Sequence, residues 1–252
     1  MTDKTSPIGV FDSGVGGISV LRALKRLLPS ENFIFIGDSA NAPYGTKSAE
    51  EVIKLSENSL KRLLEMGAKQ IVIACNTATA VAADCLREKY PHVTIIGIEP
   101  AIKPAATENP GGKIAVLATD LTVHQRRISA LYERYSEKAD IKLVSCVGLV
   151  ELIESGHLYD DVLFSYLENL LRDFMDCDAY VLGCTHYPLI KDAFVRILGN
   201  VKLYDGGEGT ARRSRELLIK AGMLNPGPDE GKITIINTSD DPSLTELSYK
   251  LM

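Results

Sequence analysis

Two cysteines lie about a hundred residues apart in closely similar surroundings. Residues 70–77 read Q-I-V-I-A-C-N-T and contain Cys75, and residues 180–188 read Y-V-L-G-C-T-H-Y-P and contain Cys184. In each segment an apolar run predicts a buried strand, and the cysteine follows it beside small hydroxyl or amide side chains. Ligands and catalytic groups of open α/β sheets collect at the carboxyl ends of the strands. The two segments therefore predict a matched pair of functional thiols.

A matched pair of thiols suits a two-base reaction, in which a proton leaves one face of a carbon and another is returned to the opposite face. Such a reaction inverts a stereocentre without a cofactor. It needs one thiolate and one thiol at a time, so each cysteine requires a neighbour that tunes its proton affinity. His186 lies two residues after Cys184, on the same side of an extended segment. Asp12, at the end of the first predicted strand, is placed to serve Cys75 in the same way.

The first turn of the chain offers an alternative interpretation. Gly14 and Gly16 stand between a strand and a helix, as in the dinucleotide-binding fingerprint, and Asp38 ends the next strand, where a ribose-binding acid would stand. However, Ser19 replaces the last glycine of that fingerprint, and the carboxylate of Asp12 would lie near any phosphate. We therefore favour a turn whose backbone N–H groups bind a carboxylate. Nicotinamide binding stays open as an alternative.

Two further interpretations compete with two-base catalysis. Cys75, Cys184 and His186 would suffice as ligands of a catalytic zinc ion, but no C-x-x-C or H-E-x-x-H spacing supports a metal site. A non-catalytic protein whose two lobes close on a small carboxylate also fits the strand pattern, although it has no use for paired thiols. The remaining three cysteines lack polar neighbours and are interpreted as structural: Cys85, Cys146 and Cys177.

Composition restricts the class of protein further. The 252 residues carry a formal net charge of −5 and no basic run, which argues against nucleic acid or an anionic membrane as a partner. No apolar stretch approaches the roughly 18 residues that a membrane span needs. The polar N-terminus leads directly into a strand, so we expect no signal peptide. Five cysteines without framework spacing favour a reducing compartment. We therefore expect a cytoplasmic protein.

Strands and helices alternate along the chain, which predicts an α/β fold with parallel sheets covered by helices on both faces. We expect two similar doubly wound lobes related by pseudo-symmetry, with the active site in the cleft between them. The first lobe is predicted to contain residues 1–98 and 207–252 and to carry Cys75. The second is predicted to contain residues 99–206 and to carry Cys184.

Two details of this pattern concern single elements of the second half. Residues 121–135 are predicted to form one continuous helix, and D-G-G-E-G at 205–209 is predicted to form a glycine-rich turn before a basic helix.

Four segments together resemble the signature segments of the glutamate racemase family. They lie between residues 8 and 189 in the family's order and spacing, and they read I-G-V-F-D-S-G-V-G-G, G-D-S-A-N-A-P-Y-G, A-C-N-T-A-T-A and L-G-C-T-H-Y-P-L. The wider family of cofactor-independent amino-acid racemases, which includes aspartate racemase, shares the two-lobed fold and the paired cysteines. The P-Y-G and C-T-H-Y-P segments favour the glutamate branch.

The resemblance implies an isomerase that interconverts L- and D-glutamate and uses neither a cofactor nor a metal. It also implies a place in cell-wall biogenesis and the maintenance of cell shape, because D-glutamate is a building block of peptidoglycan. The implied partners are the small-molecule substrate and a second copy of the chain in a homodimer, with no nucleic acid and no membrane.

The resemblance further assigns roles to residues. Cys75 takes the α-proton from D-glutamate with the help of Asp12, and Cys184 takes it from L-glutamate with the help of His186. Glu151, in V-G-L-V-E-L, matches a family acid that supports this histidine. Substrate contacts are implied for hydroxyl, amide and backbone groups suited to two carboxylates and an ammonium group: Asp12, Ser13, Pro43, Tyr44, Gly45, Asn76, Thr77, Thr185 and His186, with Thr119 and Thr122 from the second lobe.

The chain departs from the family pattern at two places. Asn41 stands where many relatives carry an arginine before P-Y-G, which predicts a different anchoring of that loop. Residues 205–209 are richer in glycine than expected, which predicts a looser crossover there.

Overall fold

The structure is a computed structural model in which residues 2–252 are described. Strands and α-helices alternate along these residues. The strands, β1 to β9 in chain order, are Ile8–Asp12, Phe33–Gly37, Gln70–Ile73, Ile95–Gly97, Lys113–Ala118, Asp140–Ser145, Ala179–Leu182, Lys202–Asp205 and Ile233–Asn237. The helices, α1 to α11, are Ile18–Leu27, Ala49–Glu65, Asn76–Lys89, Ile102–Glu108, Asp120–Val123, Arg126–Tyr135, Leu149–Glu154, Asp161–Leu171, Lys191–Leu198, Gly207–Lys220 and Pro242–Lys250.

The strands form two parallel sheets, with the orders β4-β3-β1-β2-β9 and β6-β5-β7-β8. The first sheet belongs to a compact unit made of Met1–Glu99 and Gly207–Met252, and the second belongs to a unit made of Pro100–Gly206. Helices are interleaved with the strands in both units. The prediction of an α/β fold with two parallel sheets is confirmed.

The two sheets share one pattern of connections. From β2 the first sheet runs β2-β1-β3-β4, and the second runs β6-β5-β7-β8, so that β1 corresponds to β5 and β3 to β7. The chain reverses its direction of travel across the sheet between β1 and β3, and again between β5 and β7. Such a switch point leaves a crevice beyond the carboxyl ends of the strands. Cys75 and Cys184 each lie two residues beyond the end of the strand at this point, β3 or β7.

The first sheet has one strand without a counterpart in the second. This strand, β9, pairs with β2 in a parallel register that runs from Phe33↔Ile233 to Gly37↔Asn237. Its carboxyl end therefore lies beside the carboxyl end of β2, from which the loop with the P-Y-G segment begins.

Strands β1, β2, β3 and β7 are buried on both faces, which explains their continuous apolar runs. In the first unit, Val10 and Phe35 pack with Leu24 of α1 in one core cluster. In the second, Tyr180 of β7 packs with Leu167 of α8. No helix formed by residues 2–252 is both long and apolar enough to cross a lipid bilayer.

The prediction of one helix over residues 121–135 is wrong. The structure divides this region into α5 and α6, because Gln125 adopts an extended conformation with φ −82° and ψ 141°. The ring of His124 contacts the carbonyl oxygen of Asp120 at 2.9 Å. His124 and Gln125 are both compatible with helix, so helix propensity does not place this break.

The glycine-rich segment 205–209 is only partly a turn. Helix α10 begins within it, at Gly207. The buried face of this helix carries small residues, among them Gly207, Ala211 and Ser214, and the helix packs against α1. Small side chains allow two helices to approach closely, so Gly207 serves the packing of α10.

Candidate active site

The Cys75 side chain lies at the start of α3 and is buried. Its sulfur accepts a hydrogen bond from the backbone N–H of Ala78 at 3.4 Å, and the hydroxyl of Ser13 lies 3.4 Å from the same sulfur. The N-terminus of a helix is the positive end of its dipole and stabilises negative charge nearby. The surroundings of Cys75 therefore favour a thiolate.

Asp12 ends β1, next to β3, and its side chain is fully buried. One carboxylate oxygen accepts hydrogen bonds from the backbone N–H groups of Gly14 at 3.2 Å and Gly17 at 2.9 Å. The glycine turn thus binds the carboxylate of the protein's own Asp12, and the ligand carboxylate expected here from the sequence stays a prediction. A phosphate in the same place would meet the charge of Asp12, which disfavours the nicotinamide interpretation.

Gly17 leaves no room for a side chain. A Cβ at this position would lie 2.5 Å from the Cβ of Asp12 and 2.8 Å from Cε2 of Phe35. We expect Gly17→Ala to lower the free energy of unfolding by about 1–3 kcal/mol through this overlap, and to lower activity by displacing Asp12. Urea unfolding and turnover are the measurements.

Gly209→Ala is the matched control, because a Cβ on this exposed glycine of α10 meets open space. We expect it to be neutral or stabilising by up to about 1 kcal/mol. Equal losses in the two variants would contradict the role given to Gly17.

Asn76 and Thr77 form the first residues of α3, and both side chains are buried. The side-chain oxygen of Asn76 is buried with no hydrogen-bond partner among residues 2–252. A buried acceptor without a partner costs about 1–3 kcal/mol, so this oxygen is a natural acceptor for a ligand.

The loop with Pro43, Tyr44 and Gly45 follows β2. Tyr44 is 1% exposed, and its hydroxyl donates a hydrogen bond of 2.6 Å to the carboxylate of Asp38. Burial, the hydrogen bond and the charge of Asp38 raise the pKa of Tyr44 far above its ordinary value. The phenol is held inside the protein by Asp38. We therefore expect the backbone of Tyr44, rather than its side chain, to contact a substrate.

In the second unit, Cys184 and His186 are both buried and adjacent to each other. The Cys184 sulfur lies 3.7 Å from Nδ1 of His186, and Nε2 of the same ring lies 2.8 Å from Oε1 of Glu154. Burial alone would lower the pKa of His186. The hydrogen bonds and negative charges of Cys184 and Glu154 outweigh burial and raise this pKa well above its usual value. An imidazolium thus stands between a sulfur and a carboxylate, which suits a cysteine that cycles between thiolate and thiol.

The acid beside His186 is Glu154, whereas the family resemblance pointed to Glu151. Both lie in α7, whose buried residues include Val150 and Ile153. Glu154 follows Val150 by four positions and borders the buried face, while Glu151 lies about 100° around the helix from Val150 and is exposed. The assignment of Glu151 as the support of His186 is therefore corrected to Glu154.

The pKa of His186 shows which of the two acids is its partner. We expect Glu154→Gln to lower the pKa of His186, because a neutral amide stabilises the imidazolium less than a carboxylate does. NMR titration of the imidazole signals measures it, and the chain has 4 histidines to distinguish. Glu151→Gln is the control and should leave the pKa unchanged. A shift in the control instead would restore Glu151.

The raised pKa also fixes the sign of a pH effect on stability. The folded state holds the His186 proton more tightly than the unfolded chain, whose pKa is about 6.5. The stabilising contribution is therefore fully present below about pH 6.5 and is lost as the pH rises through the folded-state pKa.

The threonines predicted for the second unit lie at the carboxyl ends of its strands. Thr119 follows β5, the counterpart of β1, and its hydroxyl donates a hydrogen bond of 2.8 Å to the hydroxyl of Thr122. Thr185, between Cys184 and His186, is buried. Since Phe11 pairs with Ile73 and Leu117 pairs with Leu182, Thr119 occupies the topological position that Ser13 occupies in the first unit.

The other cysteines have different surroundings. Cys146 and Cys177 are buried and Cys85 is exposed. Burial raises the pKa of Cys146 to about 12, so its thiol is neutral near pH 7. Among residues 2–252 no three His, Cys, Asp or Glu side chains are grouped as a metal ion would require.

The chain is similar to known proteins along its full length. A sequence model of the Asp/Glu/Hydantoin racemase family matches residues 8–213. The glutamate racemase of Clostridium acetobutylicum is 46% identical over 254 residues, which span 100% of this chain and 99% of that protein.

Solved structures agree with the sequence matches. The glutamate racemase of Thermus thermophilus, in complex with beta-chloro-D-alanine, has a TM-score of 0.82 at 38% identity and covers 99% of this chain and 94% of its own. The glutamate racemase of Francisella tularensis, in complex with D-glutamate, has a TM-score of 0.85 at 29% identity over 98% of this chain and 94% of its own.

Two parallel sheets with a cysteine at the same topological position, taken with these matches, define a racemase: the chain belongs to the Asp/Glu/Hydantoin racemase family. Within this family it is a full-length relative of the glutamate racemases. It is therefore an enzyme of the isomerase class.

Proposed function

We propose that this enzyme interconverts L- and D-glutamate by two-base proton transfer at the α-carbon, with Cys75 and Cys184 as the two bases. One observation carries the proposal: each sheet ends, at equivalent strands, in a buried cysteine with groups that stabilise its thiolate. The names of the full-length relatives supply the substrate.

The reaction balances without any further reagent. The Cys75 thiolate takes the α-proton of D-glutamate and becomes a thiol, leaving a carbanion stabilised by the adjacent carboxyl group. The Cys184 thiol then delivers its proton to the opposite face, which gives L-glutamate and a Cys184 thiolate. The reverse direction exchanges the two roles, and the scheme requires both sulfurs to reach the α-carbon from opposite sides.

The partners of the two sulfurs differ in kind. The helix N-terminus and the hydroxyl of Ser13 stabilise a thiolate at Cys75, and Asp12 is the acid at the neighbouring strand end. At Cys184 the positive charge of His186 stabilises the thiolate, and Glu154 holds the ring of His186 in place. We propose that these groups assist each sulfur as it gives up and takes back a proton, so that neither direction is blocked.

The substrate's charged groups find matching partners among the predicted contacts. The unpartnered oxygen of Asn76 is suited to accept a hydrogen bond from the ammonium group. The hydroxyls of Thr77 and Thr185 and the backbone of Tyr44 and Gly45 are suited to donate to the carboxylates. Donors fixed near the α-carboxylate would also stabilise the carbanion. Pro43, Thr119 and Thr122 stay predictions from the resemblance.

The proposal extends to the cellular role. The enzyme would supply D-glutamate for peptidoglycan biosynthesis, and it would work in the cytoplasm, where a reducing environment keeps both catalytic cysteines as thiols. The scheme needs no cofactor. A homodimer stays a prediction from the family resemblance.

The test is incubation of the purified protein with L-glutamate in deuterated water, without added cofactor and with reductant present. We expect optical rotation to decay to zero while deuterium enters at the α-carbon, and we expect no exchange on L-aspartate. Exchange on aspartate alone would assign the protein to the aspartate branch. No exchange on either amino acid would overturn two-base catalysis and favour a carboxylate-binding protein.

A further inference from the structure

A network of hydrogen bonds converges on the carboxylate of Asp38, directly after β2. Asp38 is 5% exposed. Oδ2 accepts a hydrogen bond from the hydroxyl of Tyr44 at 2.6 Å, and Oδ1 accepts one from the hydroxyl of Thr238 at 2.7 Å. The side-chain N–H group of Asn41 reaches both oxygens, at 3.0 and 3.1 Å. We call these four residues the Asp38 clasp.

Thr238 joins the clasp from a distant part of the sequence. It follows β9, the strand that has no counterpart in the second sheet, and it lies outside residues 8–213, which the family match covers. Its hydroxyl donates to Asp38 and also accepts a hydrogen bond from the backbone N–H of Ala40 at 3.1 Å. Its own backbone N–H donates to the carbonyl of Gly37 at 3.0 Å.

The neighbouring residue strengthens this attachment. The side-chain amide of Asn237 donates a hydrogen bond of 2.9 Å to the hydroxyl of Ser39. The end of β9 is thereby bonded to Gly37, Asp38, Ser39 and Ala40, the residues that begin the loop. Asp38 in turn donates its backbone N–H to the carbonyl of Asp12 at 2.9 Å, so the clasp is continuous with the strand end of Asp12.

We propose that Thr238 is a positioning residue for the active site: through Asp38 it fixes the loop that carries Tyr44 and Gly45 for substrate binding. The inference rests on the proposed function, because only that function makes the loop a substrate contact. It gives the extra strand β9 a purpose, since this strand brings to Asp38 a second hydroxyl, which binds the carboxylate oxygen that Tyr44 does not. Asn41 acts as the uncharged partner of Thr238 on the same carboxylate.

The test compares three variants in steady-state racemisation. Thr238→Val keeps the size of the side chain and removes the hydroxyl, and we expect it to raise KM for glutamate about tenfold, as for the loss of one hydrogen bond to a charged group. Thr238→Ser restores the hydroxyl and should stay within about twofold of the wild type. Thr234→Val makes the same change on the exposed part of β9 and should have no effect.

Two additional variants test the role of Thr238. If Thr238→Val does not fold, Thr238→Ala removes the same hydroxyl without the added methyl group. In the double variant with Tyr44→Phe, KM should be no worse than in the poorer single variant, because both changes release the same loop. Additive effects, an unchanged KM in folded Thr238→Val, or equal losses in Thr238→Ser would each overturn the proposal.

Hydrogen exchange separates this proposal from the proposed function. Followed by mass spectrometry, exchange of residues 39–45 should be faster in Thr238→Val than in the wild type and in Thr234→Val. This result needs no activity. If the exchange pattern is as expected but the wild type has no racemase activity, the proposed function and the role of the loop in substrate binding are both overturned. If the wild type is active but Thr238→Val leaves the exchange unchanged, only the role of the Asp38 clasp is overturned.

Discussion

Cys75→Ala and Cys184→Ala are each expected to lower the rate of racemisation by about 10²–10⁴-fold or more, since each removes one of two proton-transfer groups. Both side chains are small and lie near strand ends, so neither variant should lose its fold. The circular dichroism of the amino acid follows racemisation, and the far-ultraviolet signal of the protein verifies folding. Cys85→Ala, at the exposed cysteine, is the control and should have full activity.

Exchange of the α-proton with solvent sharpens this prediction. In a two-base scheme the remaining cysteine still removes and returns a proton on its own face. Cys184→Ala should therefore exchange the α-proton of D-glutamate without inversion, and Cys75→Ala that of L-glutamate. Racemisation at the wild-type rate by either Cys75→Ala or Cys184→Ala would overturn the two-base scheme. Exchange of both enantiomers by one variant would show that a single base serves both faces.

The sequence was sufficient to predict the features that depend on local patterns. Alternating apolar strands and amphipathic helices predicted parallel sheets, and the two cysteine segments predicted strand ends because an apolar run stops directly before Cys75 and Cys184. Parallel strands end at one edge of a sheet, which predicts that Asp12 lies near Cys75. The adjacent ends of β1 and β3 agree with this.

The acid beside His186 shows where sequence reasoning failed. Glu151 and Glu154 lie three residues apart in one short helix, and the resemblance alone did not fix which of them faces the histidine. The signal was nonetheless present, since Val150 and Ile153 define the buried face and Glu154 borders it. The helical period is therefore a better guide than motif position for a short helix of this kind.

The Asp38 clasp could not have been predicted from sequence. Thr238 lies 200 residues from Asp38, and no local pattern relates a threonine after an edge strand to a loop near the start of the chain. The same holds for the break between α5 and α6, because His124 and Gln125 tolerate helix and give no local signal of an end. Features that depend on long-range pairing are the ones that the structure adds.

The largest effect on stability is expected from a buried ion pair in the first unit. The side chains of Lys69 and Glu31 are 0% and 2% exposed, and their charged atoms lie 2.6 Å apart. The Lys69 ammonium also donates to the carbonyl oxygens of Lys4 at 2.5 Å and Met223 at 3.0 Å, and Glu31 accepts from the backbone N–H of Asn225 at 2.8 Å. The pair thus joins four separate stretches of the chain, around residues 4, 31, 69 and 223–225.

Lys69→Met is expected to lower the free energy of unfolding by about 3–5 kcal/mol, because it leaves the Glu31 carboxylate buried without its counter-charge. Urea unfolding measures the loss. The matched control is Arg213→Met, which breaks an exposed pair with Glu216 whose side chains are 54% and 65% exposed, and which should cost at most about 1 kcal/mol.

The double variant Lys69→Met/Glu31→Gln separates the charge from the packing. If the cost of Lys69→Met arises from an unpaired buried charge, then removing that charge recovers part of the stability, and the double variant is less destabilised than the sum of the two single variants. Strict additivity would mean that the two residues contribute independently. If Lys69→Met lowers the free energy of unfolding no more than Arg213→Met does, then water reaches Glu31 once Lys69 is gone. The ion pair would then not be excluded from solvent.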